Sequence, residues 1–252
     1  MYRVSSLTAL DLRPLSRVES VGDDFLGWCC SIAAIDLDGL SSVTSIGSGF
    51  MKEMTSLTAL DLRPLLRVKS TGYGFLEGCS GLTVIDLGGL VNVTRIGNYF
   101  MSGMSSLTAL DLRPLSRVEA VGHRFLSGCS GITAIDLAGL VNVTCIGDYF
   151  MSGMSSLTAL DLRPLSRVES VGDGFLGWCC SIAAIDLDGL SSVTSIGSGF
   201  MKEMTSLTAL DLRPLLRVKS VGDGFLVGCT SLRVVECSPH AVFQRFRDRL
   251  GM

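Results

Sequence analysis

An aspartate recurs along this chain at a fixed step: Asp11, Asp36, Asp61, Asp86, Asp111, Asp136, Asp161, Asp186 and Asp211, with Glu236 closing the row. Arginine follows two residues later at every second occurrence, as Arg13, Arg63, Arg113, Arg163 and Arg213. Carboxylates in such a row can hold cations, neutralise guanidinium groups or present a charged lattice to a ligand. Residues i and i+2 of a strand share a face, so each Arg points the same way as the Asp before it. Bare carboxylates on strands about 5 Å apart repel even at the dielectric of water. An Arg on alternate strands can lie among two or three of them. The row therefore reads first as a self-neutralising ladder that keeps a sheet soluble, then as a ligand face, then as a place for ordered cations. The candidate binding residues are Asp61, Arg63, Asp86, Asp111, Arg113, Asp136, Asp161 and Arg163.

Other reactive residues form no constellation. The two histidines, His123 and His240, have no Ser or Cys nucleophile placed beside them by a motif, and His123 falls at a variable turn position. GYGFLEG (Gly72–Gly78) has the wrong spacing for a phosphate loop and recurs as a turn. The nine cysteines lack metal-ligand spacing, and Cys29-Cys30 is not C-x-x-C. Neither catalysis, a metal nor a cofactor is expected.

The elements that carry these residues repeat. LTALDLRPL begins at Leu7, Leu57, Leu107, Leu157 and Leu207, and variants begin at Ile32, Leu82, Ile132, Ile182 and Leu232. Ten starts at a constant 25-residue step mark a solenoid. L-x-x-L-x-L reads as a strand with Leu10 and Leu12 inward, ended by Arg13-Pro14 or Asp38-Gly39. A second extended stretch carries Val18 and Val21 inward. The unbroken glycine column from Gly22 to Gly222 is expected to take positive φ, and GDGFLSGC-type segments are expected to form a short helical turn. Phe recurs from Phe25 to Phe225 without a gap. Cys29, Cys79, Cys129, Cys179 and Cys229 alternate in one column with Met54, Met104, Met154 and Met204. Cysteines two rungs apart have Cα atoms about 10 Å apart, too far for a disulfide, so the column reads as core. Stacking buries faces that one unit cannot bury alone, which accounts for 47% hydrophobic residues and a mean hydropathy of +0.46 without a membrane span. The longest apolar run, Phe25–Ile35, is too short to cross a bilayer.

[LI]-x-x-[LI]-x-L followed by V-x-x-[IVT]-G-x-x-F-x-x-x-[CM], as in LTALDL and VTSIGSGFMKEM, resembles the BspA-like, Treponema-type leucine-rich repeat across residues 5–235. It departs from that pattern in its 25-residue units and in lacking Ala before Phe. The resemblance implies an α/β repeat protein, a single right-handed solenoid of about ten rungs with a parallel sheet on its concave face. It also implies a non-catalytic protein-interaction module, a cell-surface adhesin or surface antigen that binds through the strand face. An intracellular scaffold of the same fold, associating end to end, is the alternative. Near-identical T-A-D-R rungs suit a repetitive ligand with a step of about 10 Å. Residues 5–70 and 155–220 differ only at Asp24 versus Gly174, so recent copying can equally account for the sameness.

The net charge of -3, with no basic block before the last residues, argues against nucleic acid. Asn92 and Asn142 open Asn-Val-Thr sequons in one column, which copying also explains. No signal peptide is visible at the start. Residues 1–235 form the expected solenoid, and residues 236–252 a capping segment in which Val242, Phe243, Phe246 and Leu250 cover the last rung.

Overall fold

The computed structural model describes residues 3–4 and 6–236; the capping segment beyond Glu236 lies outside the described residues. Successive turns of chain stack in a register of 25, as in Ser20↔Ser45, Ala120↔Cys145 and Ala209↔Val234. Each rung carries a short stretch on two faces. In chain order the strands are β1 (Ser20–Val21), β2 (Ser45–Ile46), β3 (Ala59–Asp61), β4 (Val84–Asp86), β5 (Arg95–Ile96), β6 (Ala120–Val121), β7 (Cys145–Ile146), β8 (Ser170–Val171), β9 (Ser195–Ile196), β10 (Ala209–Asp211), β11 (Ser220–Val221) and β12 (Val234–Glu236). All pairs are parallel.

The continuous sheet lies on the second stretch, where β5 to β9 and β11 form six strands. The Leu-x-x-Leu-x-Leu stretches pair only two at a time, as β3 with β4 and β10 with β12, with bridges Asp111↔Asp136 and Asp161↔Asp186. This alternation has a cause in the next turn. A 3-10 turn follows each stretch, such as Arg13–Leu15 or Asp38–Leu40. Its second residue is Pro on odd rungs and Gly on even rungs. A Cβ on Gly39, Gly89, Gly139 or Gly189 would lie 1.7–1.9 Å from the carbonyl oxygen of Leu12, Leu62, Leu112 or Leu162. Only glycine permits that approach, so two rungs form the true repeat of 50. The continuous sheet begins beyond Thr71 for a local reason. The Gly97 amide donates to the Thr71 hydroxyl at 3.1 Å, whereas Gly122 donates to the Ile96 carbonyl at 3.0 Å.

Two expectations about the turns are corrected. The Gly22-to-Gly222 column is absent from the positive-φ residues. It is glycine because a Cβ on Gly147 would lie 2.7 Å from the Gly122 carbonyl carbon of the rung before. The Phe-bearing segment is not helical either. It places every second residue left-handed, as in Asp24, Leu26 and Trp28 at φ 55, 58 and 57°. A helix would direct amides to its own carbonyls four residues back. Here alternate amides bond neighbouring rungs: Asp24 N–H to Ser48 O at 2.6 Å, Met51 N–H to Phe25 O at 2.8 Å, and Trp28 N–H to Lys52 O at 2.7 Å. The amides between them, such as Gly27 to Asp24 O at 3.0 Å, close turns within the segment. These bonds offset the cost of left-handed leucine and methionine, about 1 kcal/mol or more per residue.

The core is a set of ladders. Phe25 to Phe225 stack with centroids 5.2–5.8 Å apart and planes within 11°. Each such pair adds about 0.5–1.5 kcal/mol beyond its burial. Leu7, Leu15, Val18 and Phe25 of the first rung are half-buried, while Leu57, Leu65, Val68 and Phe75 are fully buried. A rung needs neighbours on both sides. The Cys and Met column is buried among the described residues, apart from partly exposed Cys229. Its thiols also serve the left-handed turns: Cys79, Cys129 and Cys179 donate to the carbonyls of Met51, Met101 and Met151 at 3.0, 3.1 and 3.2 Å. Burial pushes these three thiols up to about 12.

Candidate functional site

The Asp column turns out to have a structural role that its spacing does not reveal. The Oδ1 atom of every aspartate accepts the backbone N–H two residues on. Asp11 accepts from Arg13, Asp36 from Asp38, Asp86 from Gly88, Asp136 from Ala138 and Asp186 from Asp188, all at 2.8–2.9 Å. These are Asx turns that open each 3-10 turn. The sequence signal was available: Asp stands two residues before the turn whether that turn begins with Arg, Asp, Gly or Ala.

On odd rungs the same aspartate grips its own arginine. Arg113 Nε lies 2.9 Å from Asp111 Oδ1, and Nη2 lies 2.7 Å from Oδ2. Arg13, Arg63, Arg163 and Arg213 make equivalent forks. These bonds hold the Asp11 carboxyl down at about 2, and they lower Asp61, Asp111, Asp161 and Asp211 from the ordinary range. Among the described residues only two arginines reach a second carboxylate: Arg63 to Asp86 at 3.5 Å and Arg213 to Glu236 at 3.0 Å. The expected sharing of each Arg among several carboxylates is thus met at two positions and not at Arg13, Arg113 or Arg163. Within two residues the fork needs no stretching, whereas reaching the next rung extends the side chain.

The face therefore alternates. Asp61–Arg63, Asp111–Arg113 and Asp161–Arg163 are paired. Asp36, Asp136 and Asp186 have no cationic group within 4 Å among the described residues, and Asp38 and Asp188 add further charge. The floor beside them is an exposed alanine column. A shallow depression of about 860 Å³ opens over Ala134, Ala159 and Ala184, rimmed by Asp161, Arg163, Asp186 and Asp188. Small residues make this hollow; at Val84 and Val234 the column bulges, with 63% and 51% of the residue exposed.

The remaining candidates fall elsewhere. His123 is exposed, and its Nδ1 accepts the Asp148 N–H at 2.9 Å, as Asn98 and Asp148 side chains do for the next rungs. The sequon asparagines are inter-rung clips: Asn92 and Asn142 donate to the Leu66 and Ser116 carbonyls at 2.8 and 2.7 Å. At another edge Arg124 lies between the Tyr99 and Tyr149 rings at 5.3 and 4.8 Å, and Lys202 lies 4.0 Å over Trp178.

A model of the BspA type leucine-rich repeat region, in six copies, matches residues 19–158 and 119–243. The chain belongs to the BspA-type leucine-rich-repeat family. No curated protein matches it. Solved structures similar to this BspA-type chain include the functional domain of InlJ from Listeria monocytogenes, at 17% identity and a TM-score of 0.47, covering 90% of this chain and 47% of that one. This chain thus spans under half of that domain. The leucine-rich repeat protein of T. pallidum is 18% identical with a TM-score of 0.48, covering 93% and 84%. One from Bacteroides ovatus is 16% identical with a TM-score of 0.32, covering 91% and 85%. BspA-type repeats are generally protein-interaction modules, and no helix among the described residues is long and apolar enough to cross a membrane.

Proposed function

We propose that this BspA-type chain is a non-catalytic binding module of the adhesin or surface-antigen kind, engaging its ligand through the aspartate-bearing strand face. The supporting observation is the alternation of paired and bare carboxylates beside an open alanine floor. Bare Asp136 and Asp186 stand two rungs apart, about 10 Å, and bare Asp36 stands four rungs before Asp136 in the same column. A partner with cationic groups at a similar step engages several at once, and each contact after the first is effectively intramolecular.

Asparagine substitutions test this cleanly, because an amide oxygen can still accept the turn's N–H while the charge is gone. Polylysine is a suitable probe for an acidic lattice. In titration calorimetry the double variant Asp136→Asn with Asp186→Asn is expected to bind it at least threefold more weakly, with an unchanged unfolding midpoint. Equal binding by the variant would remove the strand face from consideration. Protease shaving of intact cells, read by immunoblot, tests the surface placement separately; a protected band contradicts it.

A further inference from the structure

The net charge of the chain conceals a second, oppositely charged surface. Two residues beyond the 3-10 turn stands another arginine row, Arg17, Arg67, Arg117, Arg167 and Arg217, on the same odd rungs. All five are exposed. None lies within 4 Å of a carboxylate among the described residues, unlike the Asp-paired row Arg13 to Arg213. The partners that two of them do have are neutral. Arg117 Nη1 donates to Asn92 Oδ1 at 3.2 Å and Arg167 Nη1 to Asn142 Oδ1 at 2.8 Å. Those asparagines are themselves fixed by the Leu66 and Ser116 carbonyls. The guanidinium groups are thus positioned without being neutralised.

A groove of about 530 Å³ lies along the middle of this row, lined by Thr94, Arg117, Glu119, Asn142, Thr144 and Arg167. The neighbouring column supplies Lys69 and Lys219 as well as Glu19, Glu119 and Glu169, and Arg95 stands one residue further on. Eight basic residues therefore face three acidic ones along this flank. The charge is densest where Lys69 replaces Glu. Arg67, Lys69, Arg95 and Arg117 surround Asn92 and Thr94, with Glu119 the one carboxylate at that margin. The register holds them together: Thr94 N–H donates to Lys69 O at 2.9 Å, and Ser70 bridges Arg95.

We infer that this flank binds a linear sulfated or phosphorylated polysaccharide lying along the stacking axis, anchored at Arg67, Lys69, Arg95 and Arg117. Guanidinium forks match the oxygens of sulfate and phosphate, and the Asn92 contact that holds Arg117 limits the freedom it loses on binding. Successive arginines two rungs apart give an anion step of about 10 Å. An arginine column along the stacking axis, flanked by Lys69 and Arg95, fits one extended chain. The net charge of -3 disfavours a nucleic-acid duplex.

Heparin serves as the probe, with its unsulfated backbone polymer and a DNA duplex as comparators. The even rungs carry neutral residues in these columns, which suggest the substitutions Arg67→Ser as at Ser42 and Lys69→Thr as at Thr44, while Arg95→Ser copies Ser45 of another even rung. The wild-type chain is expected to be retained on heparin at about 0.15 M salt, and the triple variant to bind at least tenfold more weakly with an unchanged unfolding midpoint. Lys69→Thr alone is expected to weaken binding, whereas Lys202→Ser, which removes one cation from another edge, leaves it unchanged. Any of three results overturns the inference: no retention of the wild type, equal affinity in the triple variant, or binding of the unsulfated polymer or DNA as tightly as heparin.

Discussion

At the scale of the residue, each aspartate of the strand face does two things that compete for the same atoms. Oδ1 caps the following turn, and on odd rungs both oxygens also receive an arginine fork. The forks depress the carboxyls of Asp11, Asp61, Asp111, Asp161 and Asp211, and Asp11 sits at about 2. A depressed carboxyl stabilises the folded state fully above the ordinary Asp value of about 4 and loses that contribution as pH falls through the lowered one. Stability is therefore expected to fall between about pH 4 and pH 2. The pairs are exposed, so added salt should flatten the dependence. Thermal unfolding across that range at low and high salt measures this. A melting temperature constant from pH 4 to pH 2 would contradict it.

At the scale of the element, the glycines separate into positions set by φ and positions set by approach. Gly139 has an ordinary φ, yet its Cβ would sit 1.7 Å from the Leu112 carbonyl oxygen. Gly27 meets nothing closer than 3.4 Å. Gly139→Ala should therefore cost about 2–3 kcal/mol, since rigid backbone must move, while Gly27→Ala should be close to neutral. Chemical denaturation of the two variants compares them directly; equal midpoints would mean that the rungs separate more easily than their hydrogen bonds suggest. The Pro and Gly alternation is legible in the sequence as two different turn endings. Its meaning as an even-over-odd pairing is not, because the clashing carbonyl lies 27 residues away.

At the scale of the whole molecule, stability comes from stacking, and the position of a rung sets what a deletion costs. Phe125 is fully buried between Phe100 and Phe150, whereas Phe25 has one stacked Phe partner, Phe50, and is half-buried. Phe125→Ala should destabilise by about 3–5 kcal/mol and Phe25→Ala by less than half of that. Urea titrations of the two variants provide the measurement, and equal losses would contradict a nearest-neighbour solenoid. The two charged surfaces also belong to this scale. A 50-residue repeat copies each of them along the axis, so the acidic strand face and the basic flank run the length of the stack and almost cancel in the net charge of -3.

By itself the sequence determined the 25-residue period, the inward columns of Leu, Val, Phe and Cys or Met, and the shared face of Asp11 and Arg13. Those follow from spacing along one strand or turn, where geometry depends on near neighbours in the chain. Only the tertiary structure decided that the Gly22 column answers a neighbouring backbone rather than positive φ, and that the Phe turn alternates hand instead of forming a helix. It also decided that Asp136 is bare while Asp111 is paired, and that Arg117 rests on an asparagine. Each of these depends on distances between residues about 25 apart, set by how rungs settle on one another, and no local pattern encodes that contact.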